Sequence, residues 1–236
     1  MRRILTPLLA AGLLLAPAAH AENTLTPLHF QSQGPLGSLD IAAAQRGFLV
    51  YQSVCSGCHS LNALHYRDLE ALGFTPDQAA GIASGIKLPD GTAATLDDTF
   101  KAPNLPAATF GGALPPDLSD ITAERPHGLH YLFAYLTGFA TAPADVTLLP
   151  GHYYNTAYPG NQPAMPPALK GNDVTYADGT VATTPQEAAD VTTFLSWAAD
   201  PNLTARHQIG LRAVIFLVFL TILAIATKRK IWREKA

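Results

Sequence analysis

The stretch from Ile209 to Thr227, IGLRAVIFLVFLTILAIAT, limits what this chain can fold into more than any other. Its nineteen residues are apolar on every helical face, unlike the one-sided stripe of a helix lying on a globular surface. At about 1.5 Å per residue the run reaches about 28 Å, close to a hydrocarbon core of roughly 30 Å. KRKIWREKA follows, and Lys228, Arg229, Lys230 and Arg233 place that end in the cytoplasm by the positive-inside rule. Trp232 suits an interfacial anchor, and Arg212, in the first turn, can snorkel to the opposite surface. A buried core helix is the alternative, and it accords poorly with a terminal position and a basic flank.

The other end, MRRILTPLLAAGLLLAPAAHAEN, has a different pattern. Arg2 and Arg3 precede an apolar run from Leu8 to Leu15, and Ala19-His20-Ala21 forms a small-x-small cleavage site. That three-part order marks a secretory signal of bacterial type, too short for a spanning helix and lacking the Arg- and Ser-rich amphipathicity of a transit peptide. An apolar helix of the mature fold is the competing reading. The expected organisation is a signal peptide over 1–21, an exported domain over 22–206, a transmembrane helix over 207–228 and a cytoplasmic basic tail over 229–236.

The exported part is long enough for one domain with its own core. Between Glu22 and Leu211 stand seven Lys or Arg and seventeen Asp or Glu, a net of −10. Such acidity argues against nucleic acid and for a basic soluble partner drawn by the field, unless it serves solubility alone. Proline and glycine crowd residues 86–118 and 141–182, coils long enough to line a site. Helices are expected over 42–54, after Thr75 and Pro76 with Gln78 completing a capping box, over 128–139, and after Thr184 and Pro185 with Glu187. No convincing strand pair or internal repeat appears, so the fold class is mostly α with long coil.

The chain's two cysteines stand in Cys55-Ser56-Gly57-Cys58-His59. A thioredoxin-like dithiol wants a βαβ setting, which the flanks do not offer. Structural zinc needs a second pair of ligands, and the remaining histidines are scattered. A disulfide here would close too small a loop to stabilise much. Covalent haem attachment is the favoured reading, for which C-x-x-C-H is the signature, and export fits it; a periplasmic thiol-disulfide enzyme using Cys55 and Cys58 is the alternative. Two thioethers from Cys55 and Cys58 would hold the vinyl groups and carry His59 under the iron.

A sixth ligand is then needed. Met165, the one methionine left after signal removal, sits in YPGNQPAMPPALKG, stiffened by prolines and away from any helical stripe. A His59/Met165 pair would fill both axial positions, raise the potential and leave no place for oxygen or peroxide. His127, His130 and His152 are the alternatives.

QRGFLVYQSVCSGCHSLNALHYRDL, GALPPDLSDITAERPHGLHYLFAYLTGF, YNTAYPGNQPAMPPAL and YADGTVATTPQEAADVTTFLSWAADPNLTARHQIGLR, in this order, resemble the cytochrome c1 family. That family is the haem-bearing subunit of quinol:cytochrome c oxidoreductase, the cytochrome bc1 complex or complex III. The likeness covers nearly all of the mature chain. It implies a class I cytochrome c-like haem domain, with helix 42–54 crossing helix 185–199 through Gly47, Phe48, Tyr51, Phe194 and Trp197. It implies one haem c on Cys55 and Cys58, ligated by His59 and Met165. It also implies Arg125 and Tyr131 at the haem propionates and Leu114, Pro115 and Pro116 against the ring. The implied partners are a cytochrome b subunit, the Rieske iron-sulfur protein and a soluble or anchored cytochrome c. Together they form a dimeric multi-subunit complex in the bacterial inner membrane, with the haem domain periplasmic. The implied role is one-electron transfer with no bond-breaking residues in this chain. The sequence departs from the family at Thr109, where an arginine is expected. The alternative from the residues alone is a stand-alone anchored monohaem cytochrome serving another dehydrogenase or oxidase.

Overall fold

The computed structural model describes residues 28–103 and 113–233; the expected signal peptide and Thr109 lie outside them. Helix α1 (Ile41–Val50) starts where the Asp40 side chain accepts from the Ala43 amide at 3.0 Å. Its buried residues, Ala43, Ala44, Gly47, Phe48 and Val50, recur at helical spacing and form one apolar face. The helix then widens by one residue per turn over Tyr51–Cys55, with Ser56 N–H donating to Tyr51 O at 2.8 Å. The expected helix over 42–54 is therefore present, and its wide last turn feeds the cysteines.

Strand β1 (Leu61–His65) pairs antiparallel with β2 (Thr99–Phe100), Leu61 opposite Phe100 and His65 opposite Thr99, with a bulge between. This short ladder corrects the expectation of no strand pair. Only two residues form the second strand, too few to show a period-two pattern in sequence. Helix α2 (Pro76–Ser84) has the expected capping box: Gln78 N–H donates to Thr75 Oγ1 at 3.2 Å, and Thr75 N–H to Gln78 Oε1 at 2.8 Å. Helices α3 (Ile121–Glu124) and α4 (Gly128–Thr137) follow the first coil, and the second coil leads to α5 (Thr184–Ala199). The cap of α5 is Thr183, one residue earlier than expected, and its hydroxyl accepts from Gln186 N–H at 3.3 Å. Glu187 consequently leaves the cap and turns inward, fully buried, where it accepts from the Asp173 amide at 2.8 Å.

Helix α5 is the centre of the domain, with α1 on one side and α3 and α4 on the other. Gly47 permits the α1–α5 crossing: a Cβ there would lie 2.0 Å from Asp190 O and 2.8 Å from Phe194 Cβ. Around that point Phe48 and Tyr51 pack on Phe194 at 5.5 and 5.6 Å between ring centroids, and Phe194 packs on Trp197 at 5.7 Å. The crossing expected from the family likeness is thus built by the residues named for it. Arg46 closes its edge, donating to both Asp190 oxygens at 3.0 and 2.9 Å and to Asp178 at 2.9 Å.

Helix α6 (Leu203–Arg233) has 31 residues, beginning before the expected 207–228 and continuing through the basic residues. Among the described residues it is the one helix long and apolar enough to cross a membrane. Only Asp200, Pro201 and Asn202 separate it from α5. Asp200 N–H donates to Ser196 O and Trp197 O, both at 3.1 Å, and Arg206 pairs with Asp200. The first turns of α6 are also held to the domain: Leu39 N–H donates to Thr204 Oγ1 at 3.0 Å, and His207 Nδ1 to Gly37 O at 2.6 Å.

Candidate cofactor site

Past the wide turn, Cys58 N–H and His59 N–H both donate to Cys55 O, at 3.0 and 2.9 Å. This tight turn brings Cys55, Cys58 and His59 to the wall of one cavity. Tyr51 O–H donates to His59 O at 2.9 Å and fixes the turn against the core. His59 is buried, and its Nδ1 lies 2.7 Å from Pro116 O. A carbonyl only accepts, so Nδ1 carries the proton and Nε2 keeps its lone pair. Burial holds the His59 pKa below its ordinary value, against the opposing pull of the Pro116 carbonyl and Asp117, which keeps the ring neutral. Cys55 and Cys58 are not joined to each other. Burial, with a smaller contribution from Cys58, pushes the Cys55 thiol up to about 12.

The segment after Gly112 is bound to this turn by Asp117, which accepts from Ser60 Oγ at 2.6 Å, Asn62 N–H at 2.8 Å and Ser119 N–H at 2.9 Å. It carries Leu114, Pro115 and Pro116 along the cavity, Leu114 being 68% exposed at its mouth. The facing wall is coil. Tyr153 N–H donates to Pro163 O at 2.9 Å, and Asn155 and Asn161 bond each other's backbones. These bonds hold the turn that brings Pro163, Ala164 and Met165 to the cavity. Helix α4 contributes Tyr131, Leu132, Tyr135 and Leu136, and α5 contributes Val191 and Leu195.

The cavity holds about 360 Å³ and is lined mainly by apolar side chains. All nine residues singled out in the sequence line it: Cys55, Cys58, His59, Leu114, Pro115, Pro116, Arg125, Tyr131 and Met165. His127, His130 and His152 do not. His127 is the N-cap of α4, His130 bonds Gln33 at 2.6 Å, and His152 bonds Pro150 O at 3.1 Å. Tyr135 and Tyr158 were not anticipated. Tyr135 could have been found from its spacing four residues after Tyr131, on the same helix face. The donor set fits haem: two thiols beside an imidazole with a free Nε2, a thioether, apolar walls, and a guanidinium with a phenol for carboxylates.

The Cytochrome C1 family profile matches residues 30–235. Cytochrome c1 of Rhodospirillum rubrum is 37% identical, over 96% of this chain and 96% of that protein. A mitochondrial cytochrome c1 heme protein of Arabidopsis thaliana is 41% identical over 92% of this chain and 75% of its own. A Bradyrhizobium diazoefficiens protein named cytochrome b/c1 is 37% identical over 85% of this chain, which spans 34% of its length. On that match and these relatives, the chain belongs to the cytochrome c1 family.

Proposed function

We propose that this chain is the membrane-anchored electron-transfer subunit of a bacterial quinol:cytochrome c reductase and carries one haem c. The observation that carries the reading is the convergence of Cys55, Cys58, His59 and Met165 on one apolar cavity. Haem bound there supplies a one-electron ferric/ferrous couple. Cys55 and Cys58 would hold it by two thioethers. His59, oriented by Pro116 O, would present Nε2 to the iron, and Met165 would present its sulfur from the facing coil. This ligand pair raises the potential, and the apolar walls, by excluding water, disfavour the more charged oxidised state. Arg125 and Tyr131 would hold carboxylate at the polar end. No bond is made or broken in this subunit, so no side chain serves as catalytic acid, base or nucleophile.

Helix α6 would hold the domain to the inner membrane, its basic end cytoplasmic and the cavity periplasmic. The electron would come from the Rieske iron-sulfur protein and leave to a soluble or anchored cytochrome c, within a dimeric complex that includes cytochrome b. The relative named cytochrome b/c1 supports the last of these partners. The net charge of −10 between Glu22 and Leu211 favours a basic acceptor, whose association weakens as salt rises.

The test is extraction in mild detergent through a tag on the C-terminal tail, followed by haem staining after denaturing electrophoresis. The expected result is a stained band for this chain, with b-type haem and an iron-sulfur protein in the same fraction. No stain removes covalent haem; a stained band purified alone leaves a stand-alone anchored cytochrome.

A further inference from the structure

The polar end of the cavity holds more donors than the expected arginine and tyrosine. Tyr131 and Tyr135, four apart on α4, stack at 6.1 Å between centroids with 21° between planes. Tyr158 lies 5.9 Å from Tyr135, and all three line the cavity with Arg125. Burial pushes the Tyr131 and Tyr135 phenols up, and the Arg125 charge draws both down, so the guanidinium and the phenols share one locale. Asn155, fully buried, fixes Tyr158 to Tyr135: its Nδ2 donates to Tyr135 O at 2.8 Å, and its Oδ1 accepts from Ala157 N–H at 2.9 Å and Tyr158 N–H at 3.1 Å.

The guanidinium and the phenols can each donate to a carboxylate. No Asp or Glu stands among the described residues lining the cavity. A phenol enclosed by a cofactor without a partner would bear the desolvation penalty of its hydroxyl uncompensated. A guanidinium fork with one phenol matches a single carboxylate, whereas haem carries two. The two further phenols match the second.

We propose that Tyr135 and Tyr158 receive a second carboxylate of the cofactor, beside the one held by Arg125 and Tyr131, and are positioning residues of the electron-transfer site. The inference rests on the reading of the cavity as a haem c site. By dispersing the carboxylate's negative charge, the two phenols oppose its stabilisation of ferric iron. Removing them therefore lowers the potential.

The test uses the full chain in its detergent-solubilised complex, with Tyr135→Phe, Tyr158→Phe, the double variant, and Tyr154→Phe as a control outside the cavity. Phenylalanine keeps the rings and removes only the hydroxyls. Haem stain and optical spectra are expected unchanged throughout, since attachment and axial ligation are untouched. In redox titration, the double variant should shift toward ferric by about tenfold, about 59 mV for one electron. Each single variant should shift less and the control not at all, with the propionate bending bands in resonance Raman moving in parallel. A double variant that titrates with the parent, while Arg125→Gln falls, overturns the proposal and assigns both carboxylates to the Arg125 side. If the double variant does not assemble, the single variants carry the same comparison. An unstained parent chain would instead be a failure of the haem reading.

Discussion

The wall that carries Cys55, Cys58 and His59 continues a helix, whereas the wall that carries Met165 lies in coil running from residue 138 to residue 183. The first is held by the α1–α5 crossing, where backbones nearly touch at Gly47 and aromatic rings interlock. The second is held by the side-chain amides of Asn155 and Asn161, beside Gly138, where a Cβ would lie 2.6 Å from Ala134 O, 2.8 Å from Thr156 Oγ1 and 3.1 Å from Asn155 Oδ1. Apolar helix packing is cooperative with the whole core, while amide clamps act on one loop at a time. Damage to the first wall should therefore unfold the domain, and damage to the second should release Met165 from an otherwise folded protein.

Gly47→Ala should have the largest effect. A methyl directed at Asp190 O must push α1 off α5, and we expect a loss of about 3 kcal/mol or more, with little haem incorporated. Thermal unfolding and haem yield measure it; a variant with the parent's melting temperature would break the contrast between the walls. Arg46→Met should come next, at about 3 kcal/mol, because Asp190 is left buried without its cation. Asn155→Ala should cost about 2 kcal/mol, since three side-chain hydrogen bonds are lost. Here covalent haem should remain while methionine ligation weakens, read as a lower potential; simultaneous loss of covalent haem would show that the walls are not separable. Asp117→Asn should be the smallest, at most about 1 kcal/mol because water screens part of the interaction. Burial pushes the Asp117 carboxyl up, but hydrogen bonds from Ser119, Ser60 and Asn62 outweigh it and hold it below its ordinary value. Its contribution is present above the unfolded value of about 4 and is lost as pH falls through the folded one, so the variant should show a flatter acid limb in stability against pH.

The same contrast explains what could be read from sequence. The helix into the cysteines and the Thr75 box follow from local spacing and capping chemistry, the packing of Gly47 against α5 follows from the family likeness, and the structure has all three. The cap of α5 was misplaced by one residue because Thr183 and Thr184 offer the same hydroxyl. In the structure Glu187 accepts from the Asp173 amide in the coil before α5 and takes no part in the cap. The β1–β2 ladder, the bond from His59 to Pro116 O and the meeting of Tyr158 with Tyr135 all join residues far apart in the chain. None leaves a periodic trace. Met165 was legible because it stands alone among prolines, but the Asn155 clamp that delivers it was not.

The three-residue joint between α5 and α6 has a mechanical consequence. Val191 and Leu195 touch the cavity from the same helix whose end, through Asp200, is fastened to the first turn of the membrane helix. With Thr204 and His207 strapped to the segment at 37–39, the joint works as a braced corner and not as a tether. If α6 spans a bilayer, its tilt would therefore set the height of the cavity above the surface and the direction in which the mouth opens. Lengthening the joint with flexible residues would leave the site's chemistry intact and degrade only its aim.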